Sequence, residues 1–200
     1  PHHVHDARMP PLILASTSRY RRMLLDRLGL PYLAVPPACD EEELKDPTLK
    51  PQALAEKLAE AKAASLIATH PTAVIIGSDQ ICALGDEILH KPQTAERAVD
   101  QLMRLAGREH HLITALVVAH GARRWRHTDI TTLHMRALDR AALVRYVAAD
   151  QPLDCAGAYK IEQRGIALFE RVHSADHDAI IGLPLIALCG FLNQAGFTLP

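Results

Sequence analysis

Short, wholly apolar runs alternate along this chain with longer segments whose apolar residues recur every third or fourth position, a pattern that predicts buried strands interleaved with amphipathic helices. Leu12-Ile13-Leu14-Ala15 is the first such run, and Ser16-Thr17-Ser18 breaks it and caps the next element. A helix is predicted over residues 19–28, with Leu24, Leu25 and Leu28 among its apolar positions and Gly29 as its stop. Residues 32–35 resemble a short strand closed by Pro36-Pro37, and Asp40-Glu41-Glu42-Glu43 is expected on a loop. Pro51 suits the first turn of a long helix reaching about residue 70, with Leu54, Leu58, Ala61 and Leu66 at helical spacing and Lys57 and Lys62 on or beside that stripe. The run Ala73-Val74-Ile75-Ile76 then predicts a strand buried on both faces, ending in Gly77-Ser78-Asp79-Gln80.

The second half is built differently. Residues 81–84 and 87–89 form a predicted hairpin turning at Gly85-Asp86, and Thr94 caps a helix running to about residue 105, where Gly107 stops it. Two long strands are predicted, over 111–120 and 123–135, with Gly121 at the turn between them. Asp139 caps a helix to about residue 149, residues 151–165 are rich in loop formers, 166–172 are expected to be a strand, and 185–194 a final apolar helix with Gly196 just beyond it. Interleaved helices and strands with an antiparallel section predict the α/β class and a mixed sheet.

Composition narrows the function classes. The 200 residues suit one domain, or one domain split into two lobes. With 22 Lys+Arg against 23 Asp+Glu the net charge is −1, which gives no reason to expect nucleic acid or an acidic membrane as partner. No apolar stretch approaches the ~20 residues that span a bilayer, and no secretory pattern is seen. Cys39, Cys82, Cys155 and Cys189 are widely spaced with no Cys-x-x-Cys pair, so reduced thiols in a cytoplasmic protein are expected rather than a zinc site or a disulfide framework. The histidine-rich residues 1–8 are set aside as an N-terminal extension or a cloning remnant, which leaves 9–200 as the expected single domain.

Several clusters carry candidate chemistry. Asp79 closes a buried strand, and ligands of open α/β sheets bind outside the carboxyl ends of the strands. It is a candidate catalytic carboxylate or metal ligand, or simply a turn residue. Ser16-x-Ser18-x-x-Arg21 stands where a strand meets a helix, so backbone N–H groups, two hydroxyls and a guanidinium converge on a candidate phosphate site; an ordinary helix cap is the alternative. Neither a Walker loop nor a dinucleotide fingerprint is present, because the glycines of both are absent. Glu41, beside Asp40, and Asp79 are candidate ligands of a divalent cation shared with phosphates, and Lys62 and Lys91 could neutralise a polyphosphate. Residues 154–162 are an irregular stretch that includes small residues, either admitting a ligand close to the backbone or forming a packed turn.

Taken in order, these pieces resemble the Maf family of nucleotide pyrophosphatases, from about residue 12 to residue 194. They are Leu14-Ala-Ser-Thr-Ser18 with Arg21-Arg22, Asp40-Glu41, Ala61-Lys62-Ala63, Gly77-Ser78-Asp79-Gln80, Lys91-Pro92, Cys155-Ala156-Gly157, Leu168-Phe169-Glu170-Arg171 and Gly182-Leu183-Pro184-Leu185-Ile186-Ala187-Leu188-Cys189. The resemblance implies an elongated mixed sheet flanked by helices, with two lobes around a central cleft, as in Maf and ITPase-like folds. It implies Asp79 as general base, Ser16, Ser18, Arg21, Lys62 and Lys91 as substrate-binding residues, and Glu41 with Asp79 as ligands of magnesium or manganese. Ser-Asp-Gln, together with Tyr20, Gln80 and Glu162, is similar to the branch acting on 7-methyl-GTP, where the branch acting on dTTP and UTP has Ala-Asp-Thr. The alternatives are a dTTP/UTP or broad-specificity pyrophosphatase, or a non-catalytic nucleotide or nucleic-acid binder affecting septum formation. A homodimer is also implied. Arg19, His90 and Ala115 depart from the pattern, replacing a proline and two glycines.

Overall fold

The computed structural model describes residues 9–200; the histidine-rich extension at 1–8 lies outside the described residues. The strands are β1 (Leu12–Ala15), β2 (Leu33–Val35), β3 (Val74–Leu84), β4 (Glu87–Leu89), β5 (Glu109–His120), β6 (Arg123–Met135) and β7 (Phe169–His173). The helices are α1 (Arg19–Asp26), α2 (Glu41–Leu44), α3 (Pro51–Ala64), α4 (Ala95–Leu105), α5 (Arg140–Asp150), α6 (His177–Ile181) and α7 (Leu185–Gln194).

All seven strands join one mixed sheet in the order β2-β1-β3-β5-β6-β7, with β4 also pairing β3. β1 runs parallel to both neighbours, and the pairs β3–β5, β5–β6 and β6–β7 are antiparallel. The expected mixed α/β architecture is therefore present. β3 is its axis. Along one edge β3 pairs with β5 without interruption from Val74 to Ala83. Along the other it pairs with β1 at Val74–Ile76 and with β4 at Cys82–Leu84, so residues 77–81 have no neighbour on that side. This break in the sheet is the cleft between the lobes.

Side-chain alternation distributes the apolar residues over the two faces. Ile13, Ala15, Ile75, Ala115 and Val117 pack under α3 with Leu54, Leu58 and Ala59. Leu12, Leu14, Val74, Ile76 and Val118 point the other way, onto Leu24 and Leu25 of α1 and Leu188 and Leu192 of α7. A third cluster lies beyond the cleft, where Cys82 and Leu84 meet Leu102 of α4, Leu143 of α5 and Phe169 of β7. Each fully buried aliphatic side chain contributes roughly 1.5–3 kcal/mol.

The differences from the sequence expectations are local. β3 does not end at Asp79 but runs on through it, because pairing with β5 bridges the polar interruption. The acidic stretch forms α2 rather than a loop: the Asp40 side chain caps it, accepting from Glu42 N and Glu43 N. α3 ends at Ala64, short of residue 70. Residues 164–168 form a 3-10 turn before β7 begins at Phe169, and α6, with Asp176 as its cap, is an additional helix.

His110 is fully buried in the third cluster, its Nε2 2.8 Å from Tyr159 Oη and its Nδ1 without a partner among the described residues. Burial, helped by nearby His111, pushes its pKa down to about 4. Between that value and the ordinary ~6.5 the unfolded chain takes up a proton that the folded chain refuses. Stability contributed by neutral His110 is thus complete above pH ~6.5 and lost as pH falls towards 4, by up to about 3 kcal/mol. Urea denaturation across that range should show this slope for the native chain, and a shallower one for His110→Phe.

Candidate active site

Gly77 sets the geometry of the cleft floor. A Cβ there would lie 2.4 Å from Ala59 O and 2.7 Å from Ala63 N, so only glycine lets the α3 backbone rest directly on β3. Lys62, one residue before that contact, is thereby brought over the strand. Its Nζ lies 2.8 Å from Asp79 Oδ1 and 3.3 Å from Glu41 Oε1. Lys62 and Asp79 are both buried, at 6% and 8% exposure, whereas Glu41 is half-exposed at the start of α2. An ammonium this deep is tolerated because carboxylates surround it. Asp40, being the cap of α2, takes no part in the cluster.

The β1–α1 junction forms the adjoining wall. Ser16 Oγ accepts from Ser18 N and Ser18 Oγ accepts from Arg21 N, so both hydroxyls shape the turn and keep their protons for another acceptor. The first N–H groups of α1 are unpaired within the helix, which favours an anion there. Arg21 Nε donates to Gly182 O at 2.8 Å, and the same carbonyl accepts from Ser78 Oγ at 3.3 Å. This anchors the guanidinium. Burial lowers its pKa, opposed by the charges of Asp79 and Glu41. Lys91 stands on the opposite lip, exposed and without a carboxylate partner among the described residues.

These groups face one open cavity of about 880 Å³, which also includes Tyr20, Gln80 and Glu162 on its walls. Such a volume lies in the ~300–1,000 Å³ range of small-molecule sites. Ser16, Ser18, Tyr20, Arg21, Glu41, Lys62, Asp79, Gln80, Lys91 and Glu162 thus all line one cavity. Gln80 is more constrained than the sequence implied. Its amide nitrogen contacts Thr114 Oγ1, Ala179 O and Ile180 O at 2.9–3.0 Å, which fixes the amide orientation and ties β3 to the end of α6. Only its carbonyl oxygen remains for a ligand. Burial pushes the Tyr20 hydroxyl up to about 12, so it is a neutral donor at working pH. Of the two readings of residues 154–162, the packed turn prevails around Gly157: its φ is +87°, and a Cβ there would meet the Tyr159 ring at 2.8 Å.

Arg19, Asp154 and Gly182 also line the cavity, although none of them had an individual role in it from the sequence. Their roles depend on contacts between distant segments.

No group of three or more His, Cys, Asp or Glu residues converges to hold a metal among the described residues. Two carboxylates do converge on one cation, the Lys62 ammonium. That donor set fits a hard divalent ion that takes one or two carboxylates from protein and its other oxygens from phosphates and water.

The fold and cleft define an α/β protein with an open, charged, small-molecule-sized site around a buried carboxylate. Residues 11–195 match the family described as Maf-like protein, and the chain belongs to the Maf family. It is 53% identical over 184 residues to a protein of Bdellovibrio bacteriovorus, covering 92% of this chain and 96% of the relative. It is 43% identical over 194 residues to one of Pseudomonas putida, covering 96% of this chain and all of the relative, and 45% identical over 192 residues to one of Xanthomonas axonopodis pv. citri, with the same coverage. All three relatives carry the name 7-methyl-GTP pyrophosphatase.

Replacing Gly77 with Ala should lift α3 from β3 and draw Lys62 away from Asp79. The expected cost is about 1–3 kcal/mol of stability, as for overpacking elsewhere. Urea midpoints and pyrophosphate release measured on the same preparation should both fall.

Proposed function

We propose that this chain hydrolyses 7-methyl-GTP between the α- and β-phosphates, giving 7-methyl-GMP and pyrophosphate and clearing a modified nucleotide from the pool. The reaction class is supported chiefly by one observation: Lys62, held between Asp79 and Glu41 at the floor of the cleft. The choice of base is supported by the names of the relatives and by an aromatic ring and a carboxylate, Tyr20 and Glu162, lining the same cavity. A methylated guanine is a planar cation, which an aromatic face attracts and a carboxylate neutralises.

In this reading the triphosphate lies along Ser16, Ser18, Arg21 and Lys91. Lys62 occupies Asp79 Oδ1 and leaves Oδ2 to orient the attacking water and take its proton. The oxygen of water bonds to the α-phosphorus, the bond from that phosphorus to the bridging oxygen breaks, and pyrophosphate leaves with the electron pair. Lys62, Lys91 and Arg21 offset the charge that develops on the phosphates, the main task in phosphoryl-type transfer. Glu41 and Asp79 would hold a divalent cation, magnesium or manganese, which when bound neutralises phosphate charge.

The site draws on segments from Ser16 to Gly182, which supports one functional domain over 9–200. No helix of the described residues is long and apolar enough to cross a membrane. A cytoplasmic setting and a homodimer complete the proposal.

Pyrophosphate release should be measured with 7-methyl-GTP, GTP, dTTP, UTP and CTP, with either metal and with EDTA. Metal-dependent preference for 7-methyl-GTP is expected; preference for dTTP or UTP would overturn the substrate, and no release from any of them would overturn the activity. Asp79→Asn retains an acceptor for Lys62, so the fold should survive while turnover drops by at least ~100-fold, the usual contribution of a general base. Near-native turnover in that variant would sink the role given to Asp79.

A further inference from the structure

Arg19 lies at the mouth of the cleft, where it departs from the family pattern. Its guanidinium carbon is 4.9 Å from the centroid of the Tyr20 ring. Nη2 donates to Tyr20 Oη at 2.8 Å and reaches Asp154 Oδ2 at 3.5 Å. Tyr20 Oη in turn lies 3.3 and 3.4 Å from the two Asp154 oxygens. Arg19 and Asp154 are 135 residues apart, so the contact ties the start of α1 to the 151–165 loop across the cleft.

The chemistry of this contact is specific. A guanidinium is a planar, delocalised cation with N–H donors along its edge. A guanine methylated at N7 is also a planar, delocalised cation with N–H donors along its edge. The position that holds the first, beside an aromatic ring and a carboxylate, has the features needed to hold the second. We propose that Arg19 is an internal stand-in for the cationic base, displaced when substrate enters, and that Asp154 is a specificity-determining residue that favours a cationic over a neutral guanine. This rests on the 7-methyl-GTP reading above.

The stand-in must leave easily, and its exposure allows that. The side chains of Arg19 and Asp154 are 61% and 49% exposed. A pair so open to water shifts a population by no more than about fivefold. Displacing Arg19 is required of either base, so the competition weakens binding of both alike. Discrimination arises afterwards: a methylated base restores a cation to Asp154, and a neutral base leaves the carboxylate without one.

The test is a double-mutant cycle with Arg19→Ala, Asp154→Asn and the pair, each assayed for kcat and KM with 7-methyl-GTP and GTP. Both positions are at the surface, so the variants should fold. Arg19→Ala is expected to lower KM for both substrates by about two- to fivefold, with the effect falling on KM rather than kcat. Asp154→Asn is expected to raise KM for 7-methyl-GTP relative to GTP by about two- to fivefold. In the Asp154→Asn background the Arg19 effect should shrink, since the ionic part of the latch is already gone and only the contact with Tyr20 remains. An unchanged or raised KM in Arg19→Ala, an unchanged ratio in Asp154→Asn, or strict additivity would overturn the inference while the native chain still hydrolyses 7-methyl-GTP. Failure of the native chain itself to use 7-methyl-GTP would overturn the underlying reading, and this inference with it.

Discussion

An ammonium group buried between two carboxylates is the interaction on which the rest of the cleft depends. At 6% exposure the Lys62 ammonium would be a buried charge without compensation if Asp79 and Glu41 were not beside it. Three unrelated features bring those groups together. Gly77 removes the side chain that would hold α3 off the sheet. Asp40 caps α2 and so presents Glu41 at its first turn. The uninterrupted ladder to β5 holds Asp79 in mid-strand, where paired residues before and after it fix its position. A carboxylate on a loop would have had more freedom and less definition.

The same ladder explains why a cleft exists at all. β3 is eleven residues long, while β1 covers only its first part and β4 only its last. The residues left bare between them, 77–81, include Asp79 and Gln80. Unpaired strand edges are a liability when exposed. Here the gap opens into the site instead, flanked by the β1–α1 turn on one side and residues 89–93 on the other. Ligand access is thus obtained without breaking the strand that carries the carboxylate.

Most of this was legible in the sequence wherever the signal was local. The Ser18 cap, the Gly85 and Gly121 turns, the Thr94 and Asp139 caps and the apolar runs of β1 and β3 each depend on neighbours within a few residues, and each stands as expected. Asp79 as the end of a strand was misplaced because the polar Gly77-Ser78-Asp79-Gln80 interrupts the hydrophobic run, and the pairing that bridges it comes from Thr114–Val117, far along the chain. Five-residue α6 was missed because so short an element has little periodicity to show. The Arg19–Asp154 contact was invisible for the same reason as the ladder: two distant segments make it. Gln80 was legible as a site residue, but not the commitment of its amide nitrogen to the α6 end.

The cleft therefore has two ends with different physical character. At the floor, Lys62 and Asp79 are buried, cross-bonded and fixed by backbone contact, as charge stabilisation requires if it is to need no reorganisation during the reaction. At the mouth, Tyr20, Arg19, Asp154 and Glu162 are partly or largely exposed and only weakly coupled. Base choice is a difference between two affinities, and modest, water-screened interactions can supply such a difference. Methylation at N7 gives the base a delocalised positive charge as well as a methyl group, so a carboxylate already balanced against a cation is a suitable reader of the charge: it loses least when one cation replaces another. Gln80 links the two ends. Its amide nitrogen braces α6 and its oxygen remains in the cavity, so a change there would disturb both the wall that holds Arg21 through Gly182 and the groups available to the base.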